Sequence, residues 1–378
     1  MTAPSRPARI GVLDGHNDLP WAVRELCGYD LSALSLGTGE PRLQTDLPRL
    51  RSGGVSGQFW SVFVPCSLTG EAAVRATHEQ IDFVHALAAS FPDDLALCTS
   101  AAQVEAAVAS GRVASLIGME GGHSIDSSLE VLREMHRRGA RYLTLTHNEN
   151  TPWADSATDA PVLGGLSAFG RDVVAEMNRL GMFVDLSHVS DAVMRDALAT
   201  TTAPVIFSHS SARAVTDHPR NVPDDVLVSL AGNGGVAMVS FVSFFVSQAW
   251  ADWFFEALDV VASRGLDPRR FEHVDPVLDE RRHLAPPPPP VAAVADHVEH
   301  VREVAGLEHV GLGGDYDGAS GFPAGLEDVS GYPLLFEELR GRGWSEPELA
   351  QLGSGNVLRA LRDMEGVAAA AASGRVGA

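Results

Sequence analysis

Three polar residues at alternate positions, Asp14, His16 and Asp18, follow the apolar start of "VLDGHNDLP". In an extended segment alternate side chains leave the same face, so this spacing aims an imidazole and two carboxylates at one region. Such groups bind divalent cations or carry protons. The arrangement recurs along the chain. An apolar run leads into Glu120 in "LIGMEGG", His147 in "LTLTHNEN", His188 in "DLSHVS", His209 in "VIFSHSS" and Asp315 in "GLGGDYDG". A single polar residue in that position is an ordinary loop start, but its recurrence in six of eight apolar runs is a pattern.

The chemistry follows from the donor types. His16 and Asp18 suit one cation, with Asp14 behind them to orient a ligand imidazole. His188 and His209, 21 positions apart, close neighbouring runs and suit a second cation. Five ligands are too many for one tetrahedral ion and fit two ions that share a carboxylate, for which Glu120 is the bridge. Histidine and carboxylate donors without cysteine match zinc, two ions per chain, with manganese or another divalent ion also open. A carboxylated lysine, another known bridge in binuclear barrel hydrolases, is closed to this chain because all 28 basic residues are arginine.

A hydroxide held between two cations is a nucleophile at neutral pH. Asp315 would take its proton and pass it to a leaving amine; Asp317 has the same parity but does not directly follow the run. His147 is left to stabilise the oxyanion of a tetrahedral intermediate. Arg213 and Arg220 lie just past His209, where a guanidinium fork could clamp a substrate carboxylate. Arg220 is the better placed, on a loop stiffened by Pro219 and Pro223.

Residues spread over about 300 positions meet only if the fold gathers the ends of its strands. The eight runs are "RIGVLDGHND", "GVSGQFWSVFVP", "RVASLIGMEGG", "RYLTLTHNEN", "GMFVDLSHVS", "APVIFSHSS", "GGVAMVSFVS" and "HVGLGGDYDG". Helical spacers separate them. "LEVLREMHRRG" sets Leu129, Leu132 and Met135 on one face, and "VADHVEHVREVAG" does the same with Val294, Val298, Val301 and Val304. Strands alternating with helices predict a parallel sheet, and eight such units predict an α/β protein of the (β/α)8 TIM-barrel type. One domain over 1–378 is expected, with an irregular insertion at about 248–290, before the last helix–strand unit. Pro286 to Pro290 form an extended spacer within it, and the alanine-rich tail at about 366–378 is expected to fray.

Composition narrows the class. The chain has 378 residues, 45% hydrophobic and 20% charged, the profile of a globular protein. A formal charge of −21 argues against nucleic acid and anionic membrane surfaces as partners. Cys27, Cys66 and Cys98 form neither a C-x-x-C pair nor an even set, which fits a reducing cytoplasm, and neither a leader nor a long apolar span is expected.

The stretches "DGHNDLP", "GMEGG", "LTHNENTPWADSA", "DLSHVS", "FSHSSARAVTDHPRNVPDD" and "VGLGGDYDG" together resemble the renal, or membrane, dipeptidase family of amidohydrolase-like enzymes, over roughly residues 9 to 365. The resemblance implies a barrel with two zinc ions: His16 and Asp18 on one, His188 and His209 on the other, Glu120 between. It also implies His147 on the substrate carbonyl, Arg220 on its C-terminal carboxylate and Asp315 as general acid and base. The expected activity is hydrolysis of an L-residue followed by a D- or L-residue with a free carboxylate, in a bacterial, cytoplasmic member that could form a homodimer. Alternatives are a barrel hydrolase acting on another amide or a lactone, such as an N-acyl amino acid or a β-lactam, and a binding protein without catalysis.

Overall fold

The computed structural model describes residues 11–374. Among the described residues nine strands form one parallel sheet: β1 (Val12–Asn17), β2 (Val55–Phe63), β3 (Leu95–Leu97), β4 (Val113–Glu120), β5 (Ala140–Thr144), β6 (Phe183–Asp185), β7 (Ile206–Phe207), β8 (Val236–Val239) and β9 (Val310–Leu312). Eight of them run side by side in the order β1-β2-β4-β5-β6-β7-β8-β9, and all eight predicted runs supply them. The ring closes where Asp315 N–H donates to the His16 carbonyl (3.2 Å) and Asp18 N–H to the Tyr316 carbonyl (2.9 Å). It is a nearly closed (β/α)8 barrel, as the alternation predicts.

Alternation within each strand builds two layers. Inward residues Leu13, Phe59, Ala114, Leu116, Tyr142, Phe183, Ile206, Val236 and Met238 pack together, joined by Val357, Ala360, Leu361 and Met364 of the last helix, Asn356–Ala372. Outward residues such as Val12, Val62, Val184 and Val239 meet the surrounding helices. The helix Leu129–Arg137 starts on a Ser128 cap and buries Leu132 and Met135; Val291–Ala305 buries Val294, Val298 and Val301.

Three departures from the sequence reading have local causes. Strand β3 was not expected; β4 starts before β5 does, with Ile117 pairing Ala140, and β3 takes the edge left open at Val113–Ser115. The insertion is not irregular but forms two helices, Gln248–Ser263 and Phe271–Arg281, packed through Ala257, Val261, Val274 and Val277. Its aromatic run and the internal Pro276 hide the helical period. The prolines do run extended, with Pro287 and Pro289 carbonyls accepting from Trp250 Nε1 and Ala324 N. The tail stays helical to Ala372 instead of fraying at about 366, because a run of alanine favours helix without needing burial; residues 375–378 lie outside the described part.

Candidate metal centre

Strand ends deliver the predicted residues to one mouth. Glu120, the last residue of β4, is 3% exposed, and each of its carboxylate oxygens faces a different set of donors. Oε2 lies 3.4 Å from His16 Nε2; Oε1 lies 3.0 Å from His188 Nε2 and 3.4 Å from His209 Nε2. The two imidazole nitrogens of His188 and His209 are 3.1 Å apart, and His16 Nε2 is 3.3 Å from Asp18 Oδ2. Donors about 2.0–2.1 Å from a tetrahedral ion stand about 3.3 Å from one another, which is the spacing on both sides of Glu120. Asp315 joins His16 and Asp18, and His147 joins Glu120 and His188, in groups whose ligand atoms lie within 4.8 Å of one another.

The donors also have the chemistry of a cation site. His16 Nε2 and Asp18 Oδ1 are buried and make no hydrogen bond among the described residues, which is costly unless something else occupies their lone pairs. His147, His188 and His209 are held well below the usual imidazole range, chiefly by burial and secondarily by neighbouring positive groups, so their rings are neutral. Neutral imidazole is the form that ligates. His16 alone of the four is held well above the usual range: burial lowers it, but Tyr142, Glu120 and Asp18 together outweigh that, and this surplus of negative charge is what a cation would balance. These residues fit divalent cations.

Behind the donors stand residues that sequence reasoning missed. Tyr142 Oη is 2.8 Å from His16 Nδ1. Ser208 Oγ is 2.8 Å from His209 Nδ1 and donates to Asp185 Oδ2 (2.6 Å). With Nδ1 engaged, each ring presents Nε2 to the centre. Asp14 does not have the predicted role. The pairing of β1 with β2 shifts register between Asp14 and Asn17, so the strict two-residue period fails, and Asp14 turns to the outer layer. There its carboxylate accepts from the backbone N–H of His16 and Gly314 (both 3.0 Å) and from Tyr332 Oη. Tyr142 and Asp185 share the inward parity of β5 and β6, but that parity alone does not set them apart from core residues.

Asp315 follows β9 and, like His188, adopts a left-handed backbone, with φ of 66° and 67°. That conformation costs a non-glycine residue about 1 kcal/mol or more, and such strain gathers at functional sites. Burial pushes the Asp315 carboxyl well above the usual range, Asp18 and Glu120 adding to it while His16 and Arg220 oppose it. Asp317 is tied up elsewhere: its Oδ1 accepts from Gln44 N (2.7 Å) and its own N–H donates to Gln44 Oε1 (2.6 Å). His147 is 4% exposed, with Nε2 4.0 Å from Glu120 Oε1 and Nδ1 3.7 Å from Cys66 Sγ.

The two arginines separate cleanly. Arg213 is spent on Asp191 in a two-pronged ion pair of 2.7 and 2.8 Å. Arg220 is 3% exposed and lies over the Phe245 ring at 5.2 Å, with one contact from Nη1 to Ser210 Oγ at 3.3 Å. Burial lowers its guanidinium to about 10, still a cation at neutral pH.

Comparison with known proteins is consistent with this geometry. A family model described as membrane dipeptidase, peptidase family M19, matches residues 7–375. Dipeptidase 3 of Rattus norvegicus is 44% identical over 361 residues, covering 94% of this chain. The chain spans only 65% of that relative's length. A metallo peptidase from Rhodobacter sphaeroides, solved with a phosphinate mimic of the dipeptide L-Ala-D-Ala, superposes with a TM-score of 0.79 at 25% identity, over 94% of this chain and all of that one. Dipeptidase AC, a metallo peptidase of family M19, gives 0.79 at 26% identity over 94% and 99% of the two chains. The barrel, the mouth of histidines and carboxylates and the match across nearly the whole chain lead to one conclusion: this protein belongs to the membrane dipeptidase family, peptidase family M19.

Proposed function

We propose that the chain hydrolyses dipeptides at a centre of two divalent cations, zinc by its donor set, with His16 and Asp18 on one side, His188 and His209 on the other and Glu120 between. The observation that carries this reading is the Glu120 carboxylate, whose two oxygens each stand 3.0–3.4 Å from imidazole nitrogens on opposite sides. Cations bound there would acidify a water and polarise the peptide carbonyl. The likeness to a peptidase solved with a dipeptide mimic supports the substrate class.

The chain's own residues account for the remaining tasks. Arg220, a buried cation without a carboxylate partner in hydrogen-bond contact among the described residues, receives the C-terminal carboxylate and sets the length of substrate. His147 turns Nε2 toward the centre and donates to the carbonyl oxygen as charge develops there. Asp315 takes a proton from the attacking water and delivers it to the leaving nitrogen, a task suited to a carboxyl whose proton affinity burial has raised.

The test is turnover of a dipeptide library containing both C-terminal stereoisomers, run beside N-acyl amino acids, with metal analysis of the same preparation. About two divalent ions per chain and preferential cleavage of dipeptides are expected. Glu120→Gln should lose metal and lower kcat/KM by at least about 100-fold. A metal-free protein, or one that cleaves only N-acyl amino acids, would overturn the proposal.

A further inference from the structure

The helical insertion reaches the mouth of the barrel and leaves one side chain there that the proposed chemistry does not use. Phe271, the first residue of the second insertion helix, stands with its ring centre 5.6 Å from that of His147, edge-on at 65°, and 6.4 Å from that of Phe63. Phe63 is itself 4.7 Å from His147 and carries Trp21 edge-on at 5.3 Å. Phe63 is buried, whereas Phe271 is 43% exposed, a large apolar ring with one side free at the rim.

Its position is fixed by charge. Arg269 pairs with Asp159 (2.6 Å), Asn148 Nδ2 donates to the Arg269 carbonyl (3.2 Å), and Arg270 Nε lies 3.4 Å from Glu149 Oε1. Asn148 and Glu149 directly follow His147, so the loop that carries His147 also holds the loop that carries Phe271.

Which end of a substrate meets this ring follows from the order of strands. Phe63 ends β2 and His147 follows β5, and these two strands flank β4. Arg220 lies between β7 and β8, which stand three and four places from β4 in the ring of eight, on the far side of the mouth. A dipeptide with its carboxylate on Arg220 therefore spans the centre with its N-terminal residue toward Phe63 and Phe271. We infer that Phe271 is a specificity-determining residue, forming with Phe63 the wall of the subsite for the N-terminal side chain and favouring long side chains with an apolar body over glycine. This inference rests on the dipeptide reading above.

The experiment measures kcat/KM of the metal-loaded protein on X-Ala dipeptides, with X as Gly, Ala, Leu and Phe, and on Ala-Y dipeptides with Y varied in the same way. The protein should favour Leu and Phe over Gly at X. Phe271→Ala should cut the Leu-to-Gly ratio at X by roughly ten-fold, and Phe271→Leu should keep most of it. Selectivity at Y should not change. A merely structural role for Phe271 would scale every substrate alike. An unchanged ratio at X in active Phe271→Ala protein, or a change confined to Y, would overturn the inference and leave the dipeptide reading standing. Failure of the unmutated protein to cleave any dipeptide would overturn both.

Discussion

His16 and His209 each have one ring nitrogen tied by a hydroxyl group, Tyr142 in one case and Ser208 in the other, so their ligating lone pairs are aimed before any cation arrives. Removing the Tyr142 hydroxyl frees the His16 ring to turn. Tyr142→Phe should weaken cation affinity by about 10- to 100-fold with little change in fold, a shift that metal titration against a competing chelator would read. At the opposite side of the mouth, Arg220→Ala should lower kcat/KM by about 100-fold for dipeptides, equivalent to about 3 kcal/mol. Amidating the dipeptide should cost the unmutated protein a similar factor and cost Arg220→Ala little. Seven of the eight proposed site residues were marked in the sequence by a polar residue at the end of an apolar run, and the eighth, Arg220, by its proline-flanked loop past His209. Tyr142 and Asp185 were not, since a tyrosine or an acid within an apolar run is indistinguishable from core until its neighbours across the barrel are known. Asp14 was misplaced for a related reason: a shift in pairing between strands leaves no trace in a single sequence.

At the scale of elements, glycine and histidine spacing shows how strands and helices hold the donors. A Cβ on Gly118 of β4 would sit 1.9 Å from the Tyr142 ring, so that glycine is the space through which Tyr142 crosses the barrel to reach His16. Gly118→Ala should therefore destabilise by about 1–3 kcal/mol and also weaken cation binding, measurable as a joint fall in urea midpoint and metal affinity. The loop after β7 is fastened to the helix Val291–Ala305 through buried His297, whose Nδ1 accepts from Ala212 N (3.0 Å). Burial lowers the His297 imidazole from 6.5 to about 4. The unfolded chain therefore binds this proton more readily than the folded one between those values. Stability present above pH 6.5 is lost as pH falls toward 4, by up to about 3 kcal/mol. His297→Gln should flatten that part of a plot of urea midpoint against pH. The insertion was the element least legible in the sequence, because aromatic crowding and Pro276 mask its helical repeat.

For the whole molecule, the alternation of apolar runs and helical spacers was enough to specify the barrel, since parallel neighbours need crossovers and eight of them close a ring. The ring gathers Asp18, Glu120 and Asp315, three carboxylates, in a chain that already carries a charge of −21. Removing cations with a chelator should lower Tm by about 5 °C or more, recovered by adding back zinc, as calorimetry would show. The straddling carboxylate of Glu120 has one more consequence. A bridge made by modifying lysine must be completed after synthesis with dissolved carbon dioxide, and its yield follows the supply of that gas. In the proposed centre the bridge is a glutamate already present when translation ends, so its assembly should be indifferent to bicarbonate, a result that metal uptake with and without added bicarbonate would check.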